Sequence, residues 1–169
     1  MTQTGLISTG AAVFAPVVVP RESCRLVKQW ELVEYAGRGS LAQVYRARPA
    51  GSRGSAAAGY AVKMLRPEWE DNADAVRLLQ REAVVGRRVT HPHLAPVLAS
   101  SVLAAPRLLV MPWLEGATLR ARLDAGQSFD AAEALWIARQ TAEALDALHT
   151  SGWMHGDVTP GNIVVAPSG

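Results

Sequence analysis

Residues 155–162 read His155-Gly156-Asp157-Val158-Thr159-Pro160-Gly161-Asn162 and run straight into the apolar triplet Ile163-Val164-Val165. Gly and Pro shape a loop here, and the β-branched run behind it reads as a strand. Asp157 and Asn162 stand five residues apart, so one carboxylate and one amide can be aimed into a shared cleft. There the carboxylate could accept a hydroxyl proton while the amide oxygen holds a cation. A turn with polar filler is the plainer alternative. It leaves His-x-Asp, Pro and Asn ahead of a strand as a coincidence.

Upstream of the loop the pattern is helical. Residues 118–124 form a short helix, and Asp130 with Glu133 makes an Asp variant of the capping box that opens a longer one. Leu135, Ala138, Ala142, Leu145 and His149 fall at helical spacing and are expected to form its apolar stripe. Gly152 ends the helix. Before Gly116 the pattern alternates instead, with strands expected at 32–35, 44–47, 60–65, 94–103 and 107–111. One helix, 72–88, interrupts them; Glu68, Glu70, Asp71 and Asp74 lie toward its start and Arg87 and Arg88 at its end, complementing the helix dipole. The expected fold is α+β: a five-stranded antiparallel sheet with one packed helix, then a mainly helical part. The expected organisation is a mobile extension over 1–25, a first lobe over 26–116 and a second, partial lobe over 117–169. Residues 49–59 are small and flexible, a solvent-exposed hairpin loop.

Two further constellations lie in the first lobe. Gly37-Arg38-Gly39-Ser40 sits between two strands, with Val44 five residues after the second glycine. Glycines there let backbone N–H groups approach phosphates closely, although a tight hairpin alone would also use them. Ala61-Val62-Lys63 places a lysine inside an apolar strand, and Glu82 follows nineteen residues later on the helix. A lysine on a central strand costs several kcal/mol if unpaired, so a carboxylate partner is required. An ordinary structural salt bridge would satisfy that demand too. Of 17 cationic residues all but Lys28 and Lys63 are Arg, so a compact ammonium at position 63 is a departure from the chain's own habit.

Composition narrows the rest. With 169 residues, 49% of them hydrophobic, the chain can bury a real core. A net charge of +2 with dispersed cations leaves no nucleic-acid stripe. The single Cys24 excludes an internal disulfide framework and fits a reducing compartment. The longest apolar stretch, 11–20, is too short for a bilayer, contains Pro16, and has no Lys or Arg before it. The expectation is a soluble cytoplasmic protein without nucleic-acid or membrane partners.

Taken in order, glycine loop, strand lysine, helix glutamate and Asp…Asn loop resemble the signature set of protein kinases over about Trp30 to Val165. Thr90-His91-Pro92-His93-Leu94 is similar to that family's connection after the helix. Leu109-Val110-Met111-Pro112-Trp113-Leu114-Glu115-Gly116 is similar to its hinge. The resemblance implies a kinase-like fold that binds ATP with Mg2+ and transfers the γ-phosphate to a serine or threonine of a protein. It implies ATP contacts from Gly37, Arg38, Gly39, Ser40, Val44, Ala61, Lys63, Met111 as gatekeeper, Trp113 and Leu114. The hinge backbone of Pro112 to Leu114 would meet the adenine, with Pro112 accepting only. Asp157 would be the base, Lys63 and Glu82 the phosphate-positioning pair, Asn162 a metal ligand and His155 a loop stabiliser.

The pattern also departs from the family. Ala42 replaces the third loop glycine, Gly156 replaces an arginine, and Thr159 stands where a lysine is usual. Gly169 comes before any Asp-Phe-Gly, which implies an incomplete metal site, little stand-alone activity, and a completing polypeptide. A non-catalytic pseudokinase and an aminoglycoside-type small-molecule phosphotransferase stay open beside the kinase. Pro160 and the His-Pro-His-Leu connection favour the protein-kinase branch.

Overall fold

A computed structural model of the chain describes residues 4–6, 25–52 and 58–167. Most of the first lobe is one antiparallel sheet. β3 (Trp30–Arg38) and β4 (Ala42–Pro49) form a hairpin, β5 (Tyr60–Leu65) pairs with β4, and β7 (Leu108–Pro112) pairs with β5. β6 (Ala99–Ser101) closes one edge on β7, and β2 (Arg25–Val27) closes the other on β3. The order is therefore β2-β3-β4-β5-β7-β6. The five expected strands are present, and β2 adds a sixth. Register shifts between Leu32 and Glu34 and between Tyr35 and Gly37 bend β3, and such bulges increase the local twist.

Strand alternation divides the lobe into two cores. Val62 and Met64 face away from the helix with Trp30, Leu32, Leu108 and Val110. Ala61 and Leu65 face the other way and meet Ala75, Leu79 and Ala83 of α1 (Ala73–Arg88). Asn72 caps α1, its side chain accepting from the Asp74 and Ala75 N–H groups at 3.0 Å each. Late in α1, Gly86 lets the returning chain pass close by. Its carbonyl accepts from Val97 N–H at 2.9 Å, and a Cβ there would lie 2.5 Å from Val97 Cγ2. This contact is why the expected strand over 94–103 shortens to Ala99–Ser101: the Val97 N–H is committed to α1.

Gly116 marks the turn between the two parts at φ +131°, and a Cβ there would sit 2.4 Å from the Val165 carbonyl oxygen. Only glycine accommodates both demands. Beyond it, β8 (Ala117–Thr118) pairs with β9 (Ile163–Val165). The opposite edge of β9 pairs with β1 (Thr4–Leu6). Within the expected extension over 1–25, β1 pairs with β9, and Arg25, the start of β2, pairs with β3. Residues 1–3 and 7–24 of that extension, and 53–57 of the expected hairpin loop, lie outside the described residues.

α2 (Leu119–Asp124) is capped by Thr118, whose hydroxyl accepts from Ala121 N–H at 3.1 Å. α3 (Ala131–Thr150) carries the full Asp130–Glu133 capping box. The expected apolar stripe on α3 is not the buried one. Ile137, Gln140, Ala144 and Leu148 are buried, whereas Leu135 is 71% exposed and Ala138, Ala142 and His149 face solvent. α3 is rich in alanine, so its pattern fits more than one rotational phase, and packing decides between them. Here Ile137 and Ala144 meet Ile163 and Val165 of β9, with Leu94, Leu119 and Phe129 around them. Among the described residues no helix is long and apolar enough to cross a membrane.

Candidate active site

Lys63 sits in the middle of β5, and alternation puts it on the face that α1 covers. Glu82 stands one turn past Leu79 on the buried side of α1. The two meet: Lys63 Nζ donates to both carboxylate oxygens of Glu82 at 2.8 Å each. The residues are only 4% and 8% exposed, which makes this the deepest ion pair among the described residues.

Across the sheet from this pair lies the glycine turn. Gly37 opposes Val44 in register, and Val44 opposes Lys63 on the next strand. Ala61 opposes Met111. Val44, Ala61, Met111 and Trp113 gather on the α1 face of the sheet, the face that also carries Lys63. The turn itself runs Gly39-Ser40-Leu41, closed by Gly39 N–H donating to the Ala42 carbonyl at 2.8 Å. Ala42, in place of a third glycine, is buried and paired opposite Leu65, so the turn closes without a glycine at that position.

Two expected contributors are engaged elsewhere. The Arg38 guanidinium binds Glu68 at 3.3 Å. Trp113 N–H donates to the Gly59 carbonyl at 2.9 Å, and its ring lies under Arg46 at 4.9 Å. The hinge donor left is Leu114 N–H, which has no hydrogen-bond partner among the described residues. Sequence reading missed this because backbone commitment in a hinge depends on the neighbouring strand.

The second half of the site follows α3. Pro160–Asn162 forms a single 3-10 turn that buries Asn162 just ahead of β9. The Asn162 side-chain amide donates to the Asp157 carboxylate at 3.0 Å and to the Asp157 carbonyl at 2.8 Å. This commits its nitrogen and leaves its oxygen as a hard donor. Asp157 N–H donates to His155 Nδ1 at 3.2 Å, so the histidine braces the loop. Asp157 itself is half-buried. One cavity is lined by Glu82 and Val85 of α1, Met111 of β7, Leu148 of α3, and His155. Lys63, the glycine turn, Asp157 and Asn162 do not line it; Glu82, Met111 and His155 are where it meets the two halves. Arg81, which sequence reading passed over, ties them together: it donates to the Met154 carbonyl at 3.2 Å and lies over the Trp153 ring at 5.8 Å.

The residues that carry this constellation lie within a stretch that matches known proteins. A family model described as protein tyrosine and serine/threonine kinase matches residues 30–169. The chain belongs to the protein kinase family. Serine/threonine-protein kinase PknD of Mycobacterium tuberculosis is 34% identical over 82% of this chain and 20% of its own length. PknK of the same organism is 35% identical over 90% of this chain and 13% of its own. A probable serine/threonine-protein kinase PknB of Lactococcus lactis is 27% identical over 83% and 22%. This kinase chain thus spans about a fifth or less of those relatives. A crystal structure of a double mutant of the M. tuberculosis PknI kinase domain superposes with a TM-score of 0.72 at 26% identity, covering 86% of this chain and 57% of that one. The expected bacterial-type kinase-like fold is therefore correct.

Proposed function

We propose that this chain carries a serine/threonine protein kinase domain that binds ATP with Mg2+ and directs its γ-phosphate to a protein hydroxyl. The observation that carries the reading is the buried Lys63–Glu82 pair, two strands from the glycine turn. A desolvated ammonium fixed by a carboxylate presents a preorganised positive charge for a polyphosphate. Leu114 N–H would meet the adenine edge, and the turn amides would meet the phosphates. The protein hydroxyl oxygen would bond to the γ-phosphorus as the bond to the ADP oxygen breaks. Asp157, held in place by Asn162, would take the released proton.

The donor set fits Mg2+ in part. Asn162 offers an amide oxygen and Asp157 a carboxylate, the hard oxygen ligands that Mg2+ takes alongside phosphate oxygens. Bound there, Mg2+ would neutralise developing phosphate charge. No group of three or more His, Cys, Asp or Glu suited to a metal stands among the described residues. The proposal therefore includes one more carboxylate, from further polypeptide or a partner. Cytoplasmic location, which the lone Cys24 supports, belongs to the same proposal. A pseudokinase is the second reading, favoured by Thr159, whose buried hydroxyl has no hydrogen-bond partner and replaces a phosphate-facing lysine.

Calorimetric titration with ATP tests the binding step. Lys63→Met should weaken affinity at least tenfold, the loss of about one charge-assisted hydrogen bond; equal affinity would remove Lys63 from the site. Asp157→Asn should retain ATP binding and abolish transfer to a protein acceptor in a chain extended past Gly169. Binding with no transfer in that extended parent would select the pseudokinase.

A further inference from the structure

The glycine turn is held from beneath by a residue that none of the catalytic roles uses. Arg66 follows β5 directly, and its side chain is only 16% exposed. Its Nη1 donates to the Ser40 carbonyl at 2.6 Å and to the Gly39 carbonyl at 3.3 Å. Its backbone N–H donates to the Leu41 carbonyl at 3.0 Å. Three consecutive carbonyls of the turn therefore point toward one arginine. Its Nη2 binds Glu68 Oε1, and that same oxygen receives Arg38 Nη2 at 3.3 Å from the far side of the turn. Arg66, Glu68 and Arg38 make a closed chain of charge-assisted contacts around Gly39-Ser40-Leu41.

Peptide geometry turns this into function. In a planar trans peptide the carbonyl and the following N–H point in opposite directions. Drawing the Gly39, Ser40 and Leu41 oxygens toward Arg66 turns the N–H groups of Ser40, Leu41 and Ala42 away from it. A glycine turn free to rotate would have to order those groups on binding, and that ordering lowers affinity.

We propose that Arg66, closed by Glu68 and Arg38, is a positioning residue that presets the glycine turn to receive a polyphosphate. It acts through the backbone and does not touch the nucleotide. The proposal rests on the ATP reading above, deepening it to the phosphate end of the site. It separates phosphate recognition from adenine recognition, because Leu114 and Met111 lie outside the clasp.

The test compares ATP with adenosine by calorimetry and follows amide hydrogen exchange without nucleotide, in the parent, Arg66→Ala, Arg66→Lys and Glu68→Gln. Arg66→Ala should weaken ATP about tenfold, the scale of one or two lost charge-assisted hydrogen bonds, and leave adenosine within about twofold. Exchange at Gly39 N–H should accelerate about tenfold while Val62 and Lys63 amides stay protected. Arg66→Lys, a single point donor, should fall between, and Glu68→Gln should give a smaller shift in the same direction. Unchanged Gly39 exchange in Arg66→Ala would overturn the clasp, as would equal loss of ATP and adenosine. A parent that binds neither nucleotide would refute the ATP reading instead. The hydrogen-exchange comparison would then decide the clasp alone.

Discussion

Removing the Lys63 ammonium while keeping its carboxylate partner is the most informative perturbation of this kinase chain. The charges lie 2.8 Å apart with both side chains at most 7% exposed. At an effective dielectric near 20, that separation corresponds to about 6 kcal/mol of attraction, most of which offsets the desolvation of the two ions. Lys63→Met removes the attraction and leaves the Glu82 desolvation uncompensated, so it should cost about 3–5 kcal/mol. That is a large share of a typical domain's 5–15 kcal/mol or so. Adding Glu82→Met removes the stranded charge and should recover most of the loss, since apolar replacements of buried pairs are often near neutral. Urea unfolding followed by tryptophan fluorescence reads the series. With a slope near 2 kcal/mol per molar, the single variant should lose about 1.5–2.5 M in midpoint. ATP titration should show both variants impaired, because stability returns in the double variant and the phosphate-facing charge does not. A single variant within about 0.5 M of the parent, or a double variant no more stable than the single, would refute the reasoning.

Three other outcomes follow from the packing. Gly86→Ala gains about 1 kcal/mol of helix propensity but places a methyl 2.5 Å from Val97 Cγ2, and overpacking of about 1–3 kcal/mol should win. Thermal melting should show a lower Tm that Val97→Ala partly restores. Gly116→Ala meets the Val165 carbonyl at 2.4 Å with φ at +131°. Backbone cannot yield as a side-chain tip can, so a loss of about 2–3 kcal/mol is expected, with faster exchange at Thr118 and Val164. The Arg139 hydrogen bond holds Glu143 below the usual carboxylate range against partial desolvation, aided by Arg139, His93 and His91 charges. A depressed folded value means the native state binds its proton later than the unfolded chain. Glu143 therefore adds stability above the ordinary carboxylate pKa, and this is lost as pH falls through the depressed value. The group is exposed, so the effect should be small and salt-sensitive. Glu143→Gln should slightly flatten the acid limb of a stability profile.

What this sequence determined by itself was chemistry contained within a few residues. The run Tyr60–Leu65 placed Lys63 inside an apolar strand, and those surroundings required a carboxylate. Asp130 announced its helix because a cap bonds to an amide three residues away. The Asp157–Asn162 loop was legible for the same reason: its hydrogen bonds close over five residues. Tertiary structure decided whatever depended on a distant neighbour. The buried phase of α3 was settled by Ile163 and Val165, and an alanine-rich helix carries too little contrast to announce it. Val97 N–H went to Gly86, ending a strand expected to start earlier, and Trp113 N–H went to Gly59 rather than remaining at the hinge. Arg66 looked like one surface cation among many until its guanidinium lay under carbonyls 26 and 27 residues away in sequence. A side chain's reach is set by its own bonds, but what lies within that reach is set by how the strands and helices pack.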